Sequence, residues 1–331
     1  MSQPAKPDKE ELSVLTFDIG GSAIKYGLCD IHGNLTAKGS QPTPNKPDTT
    51  VDDLVAALAN IYHEVKANAG RVDGLAIALP GCINADGSMR TGGALNYNYG
   101  VPLADLVEKA TGLRPVLEND AKAAAAAELW IGALQGVDAG AVLILGTGLG
   151  GGLIINGSVY QGPFGSAGEL SAFVHDCNNF SAATTAEAQI ISATGLVLRA
   201  CQALGLEYTF TADVAHRQLP IDGKKVFELY HQGNEVIKQV VDDFGYETGK
   251  LIFNLSVVLN LQKVAIGGGI SAQECLIDAI CRGTEKAWNT NPNSNLKPPL
   301  ITMPQVEVCH FRNDANLIGA MHQYLERHGY L

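Results

Sequence analysis

The sequence predicts an α/β protein made of two related domains, and three observations lead to that expectation. The chain has 331 residues, which is longer than one hydrophobic core usually serves. Apolar runs of strand length alternate with helical patterns, as in proteins whose helices cross over a sheet. A glycine-rich hairpin at 141–162 has a counterpart at 15–34, and a repeat at that distance indicates a duplicated domain rather than a solenoid.

Each hairpin consists of a strand, a glycine turn, a second strand and a further turn. The later copy has apolar runs at 142–145 and 153–155 on either side of its turn. The earlier copy has runs at 14–17 and 23–29 around Asp18-Ile19-Gly20-Gly21-Ser22. Glycine lets backbone N–H groups approach a ligand closely, and clustered N–H groups suit phosphate. The pair therefore predicts a clamp for nucleotide phosphates, with two unrelated tight turns as the alternative.

The remaining elements are predicted from hydrophobic periodicity and from the capping and turn residues that mark their ends. Helices are predicted at 48–70, 102–110, 121–136, 184–204, 223–231, 234–259, 272–288 and 314–327. Further strands are predicted at 74–79, 115–117, 261–266 and 306–309. Residues 171–183 and 205–222 read as irregular segments. Asp48 or Thr49 is the expected cap of the first helix, and Gly70 ends it.

Composition argues against several classes of protein. A net charge of −11 disfavours nucleic acid as a partner, since nucleic acid requires a basic face. No apolar run approaches the roughly 20 residues of a membrane helix. Residues 1–12 are polar, and we expect a disordered tail there without a signal peptide. Seven cysteines without a C-x-x-C pair fit a reduced, cytoplasmic protein.

Polar side chains follow the strand at 115–117, where a helix begins. The residues are Glu118, Asn119 and Asp120. Asn and Asp are preferred helix caps, so capping is one interpretation. The carboxyl end of a strand is also where open α/β sheets place their ligands, so a binding site is the other. The local pattern leaves both open.

Three further positions have a structural and a functional interpretation. Gly267-Gly268-Gly269 follows a strand and could lie against a flat ring, or could be a tight turn into the next helix. Glu169 stands in a glycine-spaced loop after the second hairpin. Glu187 lies in the first turn of a predicted helix, where the helix dipole favours a carboxylate in any case.

Five motifs, in this order and spacing, resemble the ROK sugar kinases (repressor, open reading frame, kinase) of the actin-like ATPase superfamily. They are Asp18-Ile-Gly-Gly-Ser, Glu118-Asn119-Asp120, Leu145-Gly-Thr-Gly-Leu-Gly-Gly-Gly, Gly168-Glu169 and Ile266-Gly-Gly-Gly-Ile. Each motif is weakly specific, but together they cover the chain from about Leu12 onwards.

The resemblance implies a particular division of the chain. Two actin-like (ribonuclease H-like) domains would have a nucleotide and sugar cleft between them. Residues 13–118 plus 315–331 would form the smaller N-terminal domain, with the final helix packed back on it. Residues 119–314 would form the larger C-terminal domain.

The resemblance also implies roles for individual residues. Asp18 would hold the Mg²⁺ that accompanies ATP, and Asp120 would be the catalytic base. The ATP phosphates and the adenosine would contact the glycine turns, at Gly20, Gly21, Ser22, Gly146, Thr147, Gly148, Gly268 and Gly269. Sugar hydroxyls would be bound by Asn119, Glu169, Glu187 and either Asn96 or Asn98, of which Asn96 fits better.

The chain departs from the family pattern in one segment. ROK kinases usually carry a Gly-His pair after Gly-Glu-x and then a C-x-C-G-x-x-G-C-x-E segment, and the histidine and three cysteines bind zinc. The corresponding positions here are Ala172, Asn178, Phe180 and Thr185. His175 and Cys177 lie nearby, but a structural zinc site needs four ligands. We therefore expect no structural zinc, and a specificity other than ordinary glucose.

The resulting expectation is a cytoplasmic, homodimeric kinase that uses ATP and Mg²⁺. Its substrate would be a hexose, a hexosamine or a β-glucoside, phosphorylated at O6. A transcriptional regulator is one alternative, but residues 1–12 leave no room for the helix-turn-helix module that ROK repressors carry. A non-catalytic sugar or nucleotide sensor is the other, which the missing zinc segment favours and the presence of Asp18 and Asp120 disfavours.

Overall fold

The computed structural model describes residues 9–181, 186–209, 211, 218–296 and 299–331. The chain divides into two compact units. The first comprises Met1–Gly132, Gln161–Ala167 and Asn313–Leu331, and the second comprises Ala133–Tyr160 and Gly168–Arg312. Within the described part of the chain, no helix is long and apolar enough to cross a membrane.

The first unit is built on a five-stranded sheet. Strand β1 (Val14–Ile19) pairs antiparallel with β2 (Ala23–Cys29), which pairs antiparallel with β3 (Leu35–Pro42). On its other side, β1 pairs parallel with β4 (Gly74–Leu79), and β4 pairs parallel with β5 (Val116–Asn119). Every residue of β1, β4 and β5 is buried, as expected for strands covered on both faces. The sequence did not predict β3.

Among the described residues, four helices cover this sheet: α1 (Val51–Ala69), α2 (Leu103–Thr111), α3 (Asp120–Ile131) and the last helix, α9 (Ala315–Arg327). Helix α3 packs on α9 so closely that a Cβ at Gly319 would lie 1.7 Å from the carbonyl oxygen of Ala123. Residues 119–132 therefore belong with the first unit, not with the second domain to which the sequence prediction assigned them. The final helix packs on the sheet of the first unit, as predicted.

Two local predictions in the first unit need correction. Helix α1 is capped by Thr50, which forms a reciprocal capping box with Asp53, and not by Asp48 or Thr49. Of the tail predicted at 1–12, residues 1–8 lie outside the described residues. The remainder is ordered, because 9–11 form a short 3-10 helix and Leu12 is buried in the core.

The second unit has a sheet of the same topology. Strand β6 (Ala139–Leu145) pairs antiparallel with β7 (Leu149–Ile155), which pairs antiparallel with β8 (Ser158–Val159). On its other side, β6 pairs parallel with β9 (Lys263–Gly267), and β9 pairs parallel with β10 (Gln305–Val308). The order β8-β7-β6-β9-β10 repeats β3-β2-β1-β4-β5 with the same strand directions. The predicted duplication is therefore confirmed at the level of topology.

The helices of the second unit are α4 (Glu187–Ile190), α5 (Ala193–Ala203), α6 (Gly223–His231), α7 (Glu235–Leu259) and α8 (Glu274–Thr290). The prediction of a single helix at 184–204 is wrong for the described residues, which form the two helices α4 and α5. The break occurs because Ser192 caps α5, accepting a hydrogen bond from the Gly195 N–H at 2.9 Å. The start predicted at 184 lies outside the described residues.

Candidate active site

Asp18 is the acid of the first hairpin, and the protein contacts both of its carboxylate oxygens. It lies near the end of β1 and is 7% exposed. Lys25, which faces it in register on β2, places its ammonium 3.1 Å from Oδ2. The side chain of Asn316 on α9 donates a hydrogen bond to Oδ1 at 2.8 Å. A negative charge is thereby fixed beside the glycine turn.

Sequence reasoning missed both partners of Asp18. Lys25 could have been found, because residues equidistant from a hairpin turn face each other across the strands. Asn316 could not, since 298 residues separate it from Asp18 and no local pattern connects the two.

The surroundings of Asp18 fit Mg²⁺ better than they fit a metal ion that is coordinated entirely by protein side chains. Magnesium is usually held by one or two carboxylates and completes its shell with water and substrate phosphates. No cluster of three or more His, Cys, Asp or Glu side chains suited to a metal occurs among the described residues. A single buried carboxylate beside a glycine turn fits an ion of this kind.

The first glycine turn is held by hydrogen bonds to its backbone N–H and carbonyl groups. The Gly20 N–H donates to the carbonyl oxygen of Ala23 at 2.9 Å, which closes the turn. Thr43 donates its hydroxyl hydrogen to the Gly20 carbonyl at 2.7 Å, and the Asn45 side chain donates to the Gly21 carbonyl at 3.0 Å. These bonds fix the orientation of the peptide groups in the turn.

The second glycine turn is held in a similar way. The Gly146 N–H donates to the Gly148 carbonyl at 3.0 Å, and the Gly146 carbonyl accepts from the N–H of Ala193 at 2.9 Å. The carbonyl of Thr147 accepts the hydroxyl of Thr194. The start of α5 thus supports the turn, and the Thr147 side chain remains exposed.

The glycines of these turns differ in whether the fold leaves room for a side chain at their position. Gly268 has a φ of +93°, and a Cβ there would lie 2.3 Å from the carbonyl oxygen of Leu145, so the fold requires glycine. Four glycines lie in the turns between the paired strands, namely Gly20, Gly21, Gly146 and Gly148, and a Cβ on any of them would meet its nearest described atom no closer than 3.5 Å. None of the four has a left-handed φ. Their lack of a side chain is therefore not explained by the fold, but suits a ligand that approaches the backbone.

Asn119 and Asp120 lie where β5 passes into α3. The Asn119 side-chain oxygen accepts from the N–H groups of Ala121 and Lys122 at 3.0 and 3.2 Å, so the capping interpretation is correct for this oxygen. Its amide nitrogen donates to the Gly81 carbonyl at 3.1 Å. Asp120 is the first residue of α3 and is half-buried, with Oδ1 accepting from the Ala121 N–H at 2.8 Å. The carboxylate of Asp120 therefore stands at the positive end of a helix.

Glu118 lies within the first unit, beside a cavity of about 300 Å³ lined also by Asn119 and Lys122. Burial raises the pKa of Glu118, opposed by the Asn119 N–H and by the nearby charges of Arg327 and Lys122. Its oxygens accept from the Asn119 N–H at 2.8 Å and from the Gln161 side chain at 2.6 Å. Glu118 thus ties the strand end to the segment Gln161–Ala167 of the same unit.

The two candidate asparagines differ in environment. Asn96 is exposed at the start of a short 3-10 helix, Asn96–Asn98. Asn98 is fully buried, and its side-chain amide has no hydrogen-bond partner among the described residues. A buried unpaired amide costs about 1–3 kcal/mol, so Asn98 would gain from a ligand or an ordered water more than Asn96 would.

The second unit carries the two other predicted sugar-binding acids. Glu169 is exposed and precedes a short 3-10 helix, Leu170–Ala172. Glu187 begins α4 and is 2% exposed. Its backbone N–H donates to the carbonyl of Phe173 at 2.8 Å, which brings 173–175 beside 186–187. Its Oε2 atom is buried and has no hydrogen-bond partner within the described part of the chain.

His175 stands between two carboxylates, an arrangement that sequence reasoning missed. Its Nδ1 lies 3.1 Å from Oε1 of Glu187, and its Nε2 lies 2.8 Å from Oε2 of Glu247 on α7. Lys250, one turn further along α7, lies 2.5 Å from the same Glu247 oxygen. The one sequence signal for this arrangement was His175 itself, which lies three residues after Ala172, the position where the family usually has a histidine.

The pKa values of this cluster follow from its hydrogen bonds. Contacts with Glu187 and then Glu247 raise the pKa of His175 to about 9. Burial opposes the charge of Glu247, but the close contacts with the His175 imidazole and the Lys250 ammonium outweigh it and lower the pKa of Glu247 to about 2. His175 is therefore an imidazolium at neutral pH.

Two sheets of one topology, each opening with a glycine hairpin, define the class of the protein as an actin-like α/β fold. The model of the ROK family matches residues 14–326, and the chain belongs to that family. The glucokinase of Halalkalibacterium halodurans is 29% identical over 327 residues, covering 91% of this chain and 92% of that protein. The β-glucoside kinase of Listeria monocytogenes is 28% identical over 321 residues, covering 95% and 98% respectively.

A solved structure supports the same assignment of fold. The ROK glucokinase from Streptomyces griseus, in complex with glucose and AMPPNP, matches with a TM-score of 0.73 and 26% identity. The match covers 93% of this chain and 97% of that one. The likeness therefore extends over nearly the whole length of both proteins.

Proposed function

We propose that this protein is an ATP-dependent sugar kinase that transfers the γ-phosphate to a hydroxyl group of a hexose, a hexosamine or a β-glucoside. The observation that carries the proposal is the pair of glycine turns whose missing side chains the fold does not require. The curated relatives named above are kinases for sugars, and each matches over more than nine-tenths of its length. Asp120, at the start of α3, supplies the acid–base chemistry.

Asp120 is the general base of the proposed reaction. Its carboxylate is stabilised by the N-terminus of α3, so it is available to accept a proton. As the sugar O–H bond breaks toward Asp120, the oxygen, O6 in our proposal, bonds to the γ-phosphorus. The bond from that phosphorus to the ADP oxygen breaks, and ADP leaves with the electron pair. General-base help of this kind is worth about 10²–10⁴-fold in rate.

The glycine turns bind the nucleotide. The N–H groups of Gly20 and Gly146 close their turns, so phosphate oxygens accept from the N–H groups of Gly21, Ser22, Thr147 and Gly148 and pass close to Gly20 and Gly146, which carry no side chain. The adenosine lies beside Gly268 and Gly269. Asp18 holds Mg²⁺, which neutralises the charge of the phosphates when it is bound. Lys25 and Asn316 hold the Asp18 carboxylate in place. Positioning and charge neutralisation supply most of the catalysis in phosphoryl transfer.

Sugar hydroxyls are bound by Glu169, Glu187, Asn119 and one of Asn96 and Asn98. Asn119 uses its oxygen as a helix cap, so it would contact the sugar through its amide nitrogen. The unpaired oxygen of Glu187 accepts from a hydroxyl. Buried polar groups of this kind discriminate strongly, because a sugar without the matching hydroxyl leaves them unpaired.

A coupled assay of ADP release over a panel of hexoses, hexosamines and β-glucosides tests the proposal. We expect one class to be turned over, and Asp120→Asn to lower kcat at least about 100-fold while ATP and sugar still bind. Ala85→Ser, an equally small change in the loop after β4, is the control and should keep the activity. Sugar binding without ADP release in the native protein would indicate a sensor and contradict the proposal.

A further inference from the structure

We infer that His175 is a positioning residue, which fixes the orientation of Glu187 through a link to Glu247 and thereby sets the affinity for sugar. The inference deepens the proposed function and rests on it, because Glu187 is there a ligand of the sugar. His175 itself touches neither the sugar nor ATP in this account.

The backbone places His175 beside Glu187 whatever its side chain. Val174 and Ala186 form an antiparallel bridge, and the Glu187 N–H donates to the Phe173 carbonyl. Substitutions of His175 therefore change the side-chain contact and leave the two segments paired. This permits a test of the imidazole without removing Glu187 from its place.

The imidazole faces one carboxylate with each of its ring nitrogens, at 3.1 Å on Glu187 and 2.8 Å on Glu247. Neutral imidazole carries only one N–H, so both contacts are satisfied only by the imidazolium. The other charged groups in this cluster are Asp176, adjacent in sequence, and Lys250, which neutralises Glu247. The contacts with Glu187 and then Glu247 raise the pKa of His175 to about 9.

The link runs from a rigid helix to the ligand-binding acid. Glu247 lies in α7, a helix of 25 residues whose buried face packs in the core of the second unit. Charge-assisted hydrogen bonds are roughly twice as strong as neutral ones, so His175 holds Oε1 of Glu187 firmly. The other oxygen, Oε2, is then fixed in direction and has no hydrogen-bond partner in the described residues. In the proposed function this buried oxygen is the one that accepts a hydroxyl of the sugar.

Kinetics of His175→Gln test the inference, because glutamine is uncharged and cannot form the ion pairs with Glu187 and Glu247. We expect the KM for the sugar to rise about tenfold, the loss expected for one orienting hydrogen bond, with the KM for ATP within twofold of native. His231→Gln, at the exposed end of α6, is the matched control. In the native protein the sugar KM should rise as the pH passes about 9, and the variant should lack that rise. An unchanged sugar KM in His175→Gln overturns the inference.

A second measurement does not depend on activity. In protein with ¹⁵N-labelled histidine, the His175 resonances should titrate near pH 9 in the native chain and at a lower pH in Glu247→Gln. Glu228→Gln is the control, since Glu228 also pairs with a lysine three residues away but contacts no histidine. Titration of His175 near its ordinary pKa in the native chain contradicts the inference.

The two claims fail in different ways. If none of the sugars in the panel leads to ADP release by the native protein, the proposed function fails. The titration, together with sugar binding measured by calorimetry, still tests the role of His175. If the native protein is active and His175→Gln binds sugar as tightly, the inference fails and the proposed function stands.

Discussion

The two units have the same sheet but differ in what stands at the ends of corresponding strands. Two residues before the first turn glycine, β1 carries Asp18, whereas β6 carries Ile144. Strand β5 leads into Asp120, whereas β10 leads into Cys309. The acid that fits magnesium and the proposed base thus belong to the first unit. The second unit repeats the glycine turn and adds the two acids predicted to bind sugar, Glu169 and Glu187. The two units therefore share a backbone topology and differ in a small number of side chains.

The largest effect is expected where the units differ most, at Asp18. Asp18→Asn keeps the shape but removes the charge, and we expect kcat/KM to fall at least about 100-fold, with a higher requirement for Mg²⁺. Steady-state rates over a magnesium titration measure both effects. Ile144→Val, at the corresponding position of the second unit, is the control and should stay within threefold. Equal losses of kcat/KM in both variants would contradict the functional difference between the two units.

The glycine turns provide the next comparison. Gly146→Ala has room for its methyl group, so we expect a thermal midpoint close to native and a KM for ATP about tenfold higher. Gly268→Ala is strained by its positive φ and by contact with the Leu145 carbonyl, so it should lose about 1–3 kcal/mol of stability. Thermal unfolding and ATP kinetics of both variants separate the two causes. Loss of stability in Gly146→Ala would indicate that the fold requires this glycine as well.

The link through His175 predicts a dependence of stability on pH in the second unit. Because the folded pKa of His175 is about 9 and its ordinary value is 6.5, its stabilisation is complete below about pH 6.5 and is lost as the pH rises through 9. Glu247 has a folded pKa of about 2, so its stabilisation is lost as the pH falls from 4.5 through 2. Denaturant unfolding of the native protein and His175→Gln should differ by about 1–3 kcal/mol at pH 6 and converge by pH 10. A constant difference across that range would argue against the ion pairs.

The smallest effect concerns zinc, which the sequence predicts to be absent from the second unit. Treatment with a chelator in the absence of ATP should leave the thermal midpoint within about 1 °C, because a structural zinc site would lose stability on chelation. Elemental analysis of the purified protein gives an independent reading. A midpoint that falls with the chelator, together with stoichiometric zinc, would overturn the expectation.

The sequence predicts the strands and the glycine turns well, because their signals are local. The runs at 23–29 and 74–79 correspond to β2 and β4 residue for residue. The helix predicted at 184–204 fails because Ser192 starts a new helix within an apolar pattern that reads as continuous. Strand β3 has a mixed, mostly exposed pattern without clean alternation, so its hydrophobic signal is weak.

The side-chain partners in the site were less predictable. Asn316 reaches Asp18, and Glu247 reaches His175, only because distant segments pack together in the folded unit. Whether Asn119 caps a helix was open in the sequence, and the hydrogen bond from the Ala121 N–H to its side-chain oxygen shows that it does. Local chemistry thus predicts which residues matter, while tertiary packing determines what holds them.

The transfer of phosphate itself is the most direct test of the central claim. The native protein, ATP, Mg²⁺ and the best sugar of the panel are followed by ³¹P NMR. We predict a new phosphomonoester resonance that grows in step with ADP and couples to the two protons of a CH₂ group, as phosphate on O6 requires. Release of inorganic phosphate alone, or ATP that remains unchanged with every sugar, would contradict the account.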